Sequence, residues 1–465
     1  MVSHVHVKVN VHEFKEMTVT DDVRSITVTE SIDGLPSGTI LLPAKRATRH
    51  GWEPYNVYIN PGDTCVIEVH TWDGQRGGWQ MVLHGPVTSV EERETITPDG
   101  YEVATVVHVA SMTSILAQDS VALWMFYGAM EGWQFVRTHL IPDRLNSYPH
   151  EVAFNWLREL TFPKAVYQHP LPLGFSLHLD FAGLEAVAPL EFKLAHTEGP
   201  HLNIIQGILD APLHELYTLT GTSNDLTGTH QHVAAAPPGI NHLGAATLLR
   251  CRAAPYPYAD ENGQGQLDEW EALPLHVLEP PLDAVNQRQS LMTWDAERNF
   301  FMVYPAFQFM DELYAFSIGA GLVNRSSVRR FGYRPLQLRT HLIINDTADG
   351  DTIEQFMLRL AWRVGTQWNN MHEYANGSVE TPLYPEIRVG HRVQMRTPWQ
   401  SRTTLEYHVR GRQLTWNPRE GGRMTLNLER GLPVEMYQDP TWFTRGLTAV
   451  RVGGEVYAEG MERHR

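Results

Sequence analysis

Short runs of β-branched and aromatic residues, cut by Asn, Asp, Gly and Pro turns, fill the first 117 residues and return near the end of the chain. In the first stretch Val23–Glu30 alternates, Tyr55–Ile59 precedes the turn Asn60-Pro61-Gly62-Asp63, and Cys65–Val69 follows it. Trp79–Leu83 runs into Gly85-Pro86-Val87, and Glu102–Ala110 alternates again after Asp99-Gly100. Strands this short, with turn chemistry between them, suggest a small barrel or sandwich.

The period changes after Ser111. Ile115, Leu116, Val121, Trp124, Met125, Met130, Val152, Trp156 and Leu160 fall at helical spacing, broken by Gly128, Gly132, Pro142 and Pro149. Residues 161–200 read as irregular, with one strand over Phe175–Phe181. Leu202–Leu209 is a short helix, Leu213–Thr220 a strand and 222–241 a loop. Ala246–Ala253, Trp270–Leu278 and Asn299–Tyr304 are expected as strands. The clearest helix spans Asp351–Tyr374, with the stripe Ile353, Phe356, Met357, Leu360, Val364, Trp368 and Met371 and a Thr352/Gln355 capping box. Strands are expected again over Ile387–Val393, Leu405–Gly411, Met424–Leu428 and Val450–Val456, so β–α segments occur twice, over about 1–160 and 201–430.

With 465 residues, several domains are expected. We divide the chain into a first β-barrel over 1–117, a helical and irregular connection over 118–200, and a β-rich second half over 201–350 with insertion loops at 222–242 and 255–270. A helix with closing strands covers 351–433, and an extension covers 434–465. The fold class is α+β, mainly β: two similar small β-barrels with helical connecting segments. No apolar run of about 18 residues would span a bilayer, and the start, Met1–Asn10, lacks the pattern of a signal peptide, so synthesis in a cytoplasm is expected. Cys65 and Cys251 are expected as buried free thiols, with no CxxC pair for zinc or redox work.

The net charge of −16 makes free nucleic acid a poor partner. An acidic wall would suit a channel that DNA slides through, but the same charge also serves solubility. His4, His6 and His12, and His230, His232 and His242, contain His-x-His spacing, with no carboxylate or Cys to complete a ligand set. Asp260–Glu271 follows the spacing of an EF-hand calcium loop: Asp260, Asn262 and Gln264 as the early ligands, Gly265 at the turn, then Gln266, Asp268 and Glu271. Gln264 is unusual at its position and the proline-rich flanks make poor helices, so a polar hairpin tip is the preferred reading. Gly-x-Ser-x-Gly, a carboxylate pair and glycine-rich phosphate loops are missing. No catalytic or cofactor-binding residue is assigned, and no enzymatic activity is expected.

Several segments together resemble one family. They are Met81–Ser89; Leu202–Leu209 followed by His214-Glu215-Leu216-Tyr217; and Arg252-Ala-Ala-Pro255-Tyr256 followed by Trp270. Trp294–Val303, Arg330-Phe-Gly332-Tyr-Arg334, Ile387–Val393 with Gly390, Tyr407–Gly411 and Met424–Gly431 continue the series. Their order over about 20–430 resembles the tail hub family: baseplate hubs of contractile phages, their counterparts in long-tailed phages, and the base of type VI secretion spikes. The resemblance implies two similar barrels per chain and a homotrimer, whose pseudo-sixfold ring would meet a hexameric tail tube. A spike or tail-tip protein would sit on the threefold face, and the lumen would hold tape-measure protein and pass DNA. The implied place is the tail of a virion assembled in the host cytoplasm. The alternatives are a tail-associated cell-wall or glycan hydrolase and a receptor-binding tail protein.

Overall fold

A computed structural model describes residues 2–11, 15–49, 51–72, 78–97, 100–118, 120–122, 149–157, 177–183, 198–209, 212–222, 231–234, 245–260, 264–279, 287–305, 319–340, 353–396 and 404–452. The first half is built from β1 (Val2–Val11), β2 (Lys15–Thr18), β3 (Ser25–Ser31) and β4 (Ser37–Pro43). The small hairpin β5 (Lys45–Thr48) and β6 (Gly51–Pro54) follows, then β7 (Thr64–Trp72), β8 (Gly78–Thr97) and β9 (Gly100–Ala110). Alternation does what the sequence asks: Ile26 and Val28 of β3 and Ile40 and Leu42 of β4 point into one core with Ile67, Leu83, Val107 and Val109. Gly85 is obligatory, because a Cβ there would lie 1.8 Å from the Ala110 carbonyl oxygen. Tyr55–Val57 is a 3-10 turn, not part of a strand. Tyr55 and Ile59 are both buried while Val57 is 60% exposed, and the Ile59 amide donates to the Tyr55 carbonyl at 2.9 Å. Residues four apart share a face in a helical turn as well as in a strand, and here the turn prevails.

The middle of the chain carries β10 (Ser120–Ala122), β11 (Leu177–Phe181), β12 (Glu198–Pro200), β13 (His214–Thr222), β14 (Gln231–Ala234) and β15 (Ala245–Ala253). β13-β15-β11-β14 form one sheet, with β11 parallel to β15. The helices Ile115–Gln118, Pro149–Trp156 and His201–Ile208 contribute Leu116, Trp156 and Ile205 to the core that β11 closes with Leu177 and Leu179. Three expectations change here. Val121 lies in β10, the 222–241 loop contains β14, and Trp270 sits in the short helix Asp268–Glu271 rather than in a strand. Trp124, Met125, Met130 and Leu160 lie outside the described residues.

β16 (Tyr258–Ala259), β17 (Gly265–Gln266), β18 (Leu275–Leu278) and β19 (Gln287–Leu291) lead to β20 (Phe300–Pro305), β21 (Gly319–Asn324) and β22 (Pro335–Thr340). The helix Ile353–Trp368 buries Leu360, Ala361 and Val364 against Phe301, Val303 and Leu322 of β20 and β21; Asp351 and Thr352 lie outside the described residues. Then come β23 (Ala375–Pro382), β24 (Arg392–Arg396), β25 (Thr404–Asn417), β26 (Gly421–Pro433) and β27 (Leu447–Val452). Ile387–His391 is not strand. Ile387 and Val389 are buried, but Gly390 turns the backbone at φ +84° and pairing begins at Arg392.

The two halves repeat one strand order. In the first it is β3-β4-β9-β8-β7; in the second it is β19-β23-β26-β25-β24, and every neighbour within each series is antiparallel. In the first half a tight turn at Asp33 (φ +59°) joins the opening two strands. In the second, β20–β22 and the long helix are inserted between β19 and β23. The halves are not separate. β25 pairs β24 through Thr404–His408 and then leaves it, and Gly411–Trp416 pairs Ser31–Ile26 of β3. A single curled 13-stranded sheet results among the described residues, with one apolar core running through both halves.

Candidate functional site

The motif residues of the second half converge on one buried polar network. Arg252 Nη2 donates to Glu215 Oε2 at 2.8 Å and to the Gly390 carbonyl at 3.0 Å, and lies 3.1 Å from His408 Nε2. The Tyr256 hydroxyl is 3.1 Å from Glu215 Oε1 and 2.5 Å from Glu429 Oε1. Burial pushes that phenol well above its ordinary range, against the neighbouring Arg430. Burial also acts to raise Glu429, but the His408 hydrogen bond and charge, with Arg410 and Arg430, overcome it and hold the carboxyl down at about 2. Arg430 stands at φ +57° and lays its guanidinium 3.6 Å from the Tyr256 ring centroid and 4.5 Å from that of Trp368. The next residue, Gly431, has no room for a Cβ, which would fall 2.1 Å from Tyr407. Each charge has partners, as buried charges require.

Two further knots tie the elements together. Buried Arg412 of β25 donates to both carboxylate oxygens of Glu30 on β3, at 2.7 and 3.0 Å, and to the carbonyls of Pro385 and Ile387 at 2.9 and 2.8 Å. This pair lies across the seam between the halves. Asp33, just beyond β3, exchanges backbone and side-chain hydrogen bonds with Leu216 of β13 at 2.8 and 3.3 Å. Around the second knot, Glu406 accepts from Trp270 Nε1 at 2.6 Å, Arg392 Nη1 at 2.7 Å and Gln394 at 2.7 Å. Asn299 binds the motif 330–334 from the side, donating to the Gly332 carbonyl at 2.7 Å and accepting from the Arg334 amide at 2.8 Å. Glu297 takes Ser327 and His372.

Among the calcium-loop candidates, Asp260 and Gln264 close a hairpin. The Gln264 amide donates to Asp260 Oδ1 at 2.8 Å, and β16 pairs β17 with Tyr258 opposite Gln266. Asp268 and Glu271 are exposed on the following helical turn, and the Glu271 carbonyl accepts from Arg392 at 2.8 Å. Asn262 lies outside the described residues. So do His12, His230 and His242, while His232 is in β14 and His4 and His6 are in β1. Among the described residues no three His, Cys, Asp or Glu side chains gather as a metal site. Cys65 and Cys251 are free and buried in separate cores. Of the basic residues, Arg329 and Arg330 are exposed, Arg334 packs its guanidinium 4.2 Å from the Trp294 ring centroid, and the Arg339 side chain lies outside the described set.

Glu30, Asp33, Glu406 and Arg412 escaped sequence reading. Their signal is present: Glu30 follows Ile26 and Val28 on the inward face of an alternating strand, where a charge demands a buried partner.

No protein-family model and no curated protein matches the sequence. Among solved structures, the fold is similar to a tail protein from Neisseria meningitidis MC58, with TM-score 0.48 and 10% identity over 95% of this chain and 99% of that one. It is also similar to the 43 kDa tail protein of prophage MuSo2 from Shewanella oneidensis, with TM-score 0.46 and 11% identity over 91% and 98%. A third is an E. coli type VI secretion component, itself described as similar to the phage T4 tail proteins gp27 and gp5; its TM-score is 0.40, with 9% identity over 92% and 77%. The structural neighbours are phage tail and type VI secretion proteins.

Proposed function

We propose that this chain is a structural hub of a phage tail, a homotrimer that adapts the hexameric tail tube to a central spike or tip and is carried in the virion after assembly in the host cytoplasm. The observation that carries this is the repeated strand order within one sheet. A chain with two like halves side by side needs three copies to present six like units to a sixfold tube, while its non-equivalent parts keep threefold symmetry for a spike. The lumen would hold the end of the tape-measure protein and later pass DNA, and an excess of 53 acidic over 37 basic residues suits a wall that must not bind phosphate. The motif residues Glu215, Arg252, Tyr256, His408 and Arg430 serve a mechanical role, because they are spent on one another in a buried network. A chain that tolerates force at a tail tip gains from such cross-ties between elements distant in sequence. No enzymatic step is assigned to any of them.

Electron-microscope images of the purified protein test this. A ring with six lobes at one level and threefold symmetry overall is expected. Isolated single particles of one chain, at all concentrations and in the presence of tube protein, would refute it.

A further inference from the structure

β1 carries His4 and His6 two positions apart, and the antiparallel ladder sets His4 opposite His70 and His6 opposite Glu68 of β7. The His-x-His spacing has no completing ligand nearby in the chain; the strand pairing brings candidates from a distant stretch. Alternation fixes the faces. Val5 and Val69 are buried at 4% and 3%, and Val7 and Ile67 are inaccessible in the same core. His4 is exposed and Glu68 and His70 are half-buried, as the opposite face of the two strands requires. The register runs without a shift from Val2–Trp72 to Asn10–Thr64, so core packing holds the backbone that presents these side chains.

The His4 and His70 rings lie 6.5 Å apart between centroids, at an interplanar angle of 51°. On the other side of His70, the Trp79 ring of β8 stands 5.2 Å away.

We propose that His4, His70 and Glu68 form a site for a divalent transition-type cation such as zinc, bound between β1 and β7. Directly opposed residues on one face have Cβ atoms about 4.5–5.5 Å apart, and diagonal neighbours such as His4 and Glu68 are about 7–8 Å apart, within reach of long side chains. Two imidazoles bonded to one tetrahedral ion at about 2.0–2.1 Å bring their centroids to about 5 Å. From 6.5 Å, a modest rotation of the two rings closes the pair. No three ligand groups gather as the side chains stand. The Glu68 carboxylate therefore completes the set by swinging across its face, with water in the remaining position. Imidazole with one carboxylate suits zinc or cobalt, whereas calcium and magnesium take oxygen shells. The core side of both strands is untouched, so the ion adds a cross-link without repacking. In the ladder β1 joins the main sheet through β7, with only the four-residue β2 beyond it. An ion between His4 and His70 fastens that outlying strand, and the stabilisation rises with metal concentration.

The test is calorimetric titration of the untagged chain, freed of metal by dialysis, with zinc, and with cobalt as the spectroscopic probe. One ion per chain is expected, with the visible cobalt bands of a four-coordinate site. Zinc should raise the melting temperature, and calcium and magnesium should not. His4→Ala and His70→Ala should each weaken zinc binding by roughly tenfold or more, since even outer-shell partners are worth that much; Glu68→Gln should weaken it less. His108→Ala removes a partly exposed histidine beside Glu91 elsewhere on the sheet, and should bind zinc as the wild type does. The metal-free variants should melt with the wild type, because their side chains face away from the core, and His4→Gln and His70→Gln repeat the comparison with the polar bulk kept. Unchanged zinc affinity in both histidine variants, or no one-to-one binding by the wild type, overturns the site. Loss in His6→Ala without loss in His70→Ala confines the ion to β1 and overturns the cross-strand arrangement.

Discussion

Replacing Arg412 by Met should destabilise the protein by about 3–5 kcal/mol, the cost of leaving one member of a buried ion pair alone. The guanidinium makes four hydrogen bonds, two to Glu30 and one each to the carbonyls of Pro385 and Ile387. Both side chains are nearly inaccessible, at 2% and 6%. Met fills much of the volume and satisfies none of the four acceptors, so the penalty falls on a buried carboxylate and two carbonyls. Glu30→Leu in the same chain removes the stranded charge. The double variant should recover most of the loss, because an apolar pair of similar size often matches a buried ion pair. Urea denaturation of the wild type, both single variants and the double variant gives the coupling energy directly. If Arg412→Met costs under about 1 kcal/mol, or if the double variant is as unstable as the single ones added together, the seam is not held by a buried pair.

Other outcomes follow from the same contacts. Leu360→Ala in the long helix should cost about 2–5 kcal/mol in the same assay, and a near-neutral result would mean that the Leu360–Phe301–Leu322 packing is absent. Burial, helped by His276 and Arg412, holds His391 down at about 2, and burial outweighs the Leu209 hydrogen bond to hold His214 at about 3. Both rings stay neutral when folded, so below about pH 6.5 the unfolded chain takes up protons first. Stability present above that pH should fall by up to about 1.4 kcal/mol per pH unit per group. Glu429 adds a further loss between its ordinary carboxylate range and about pH 2. A flat urea midpoint between pH 7 and 5 would contradict this. The hairpin formed by Asp260 and Gln264 should not need calcium, so a chelator should leave the melting temperature unchanged, and a drop of several degrees would restore the EF-hand reading.

Legibility in the sequence followed physical locality. β3, β7, β9, β13, β15, β20 and the helix Ile353–Trp368 each carry their own period and are legible from it. At Tyr55–Ile59 and Ile387–His391 apolar residues at even spacing fit a turn as well as a strand, and a glycine at φ +84° decides the second case. The motif residues were recognisable as a set, but what they do was not. Glu215 and Arg252 are joined only because β13 and β15 pair, and their link to His408 depends on β25, more than 150 residues away. The seam between the halves was invisible for the same reason. Glu30 stands on the inward face of its strand, but its partner Arg412 lies 382 positions further along the chain, and only the fold brings the two together.

The mass of the purified protein in solution, by light scattering across a concentration series, tests the hub proposal most directly. Three times the 52.8 kDa of one chain is expected. A constant mass of one chain, unchanged by added tube protein, would contradict it.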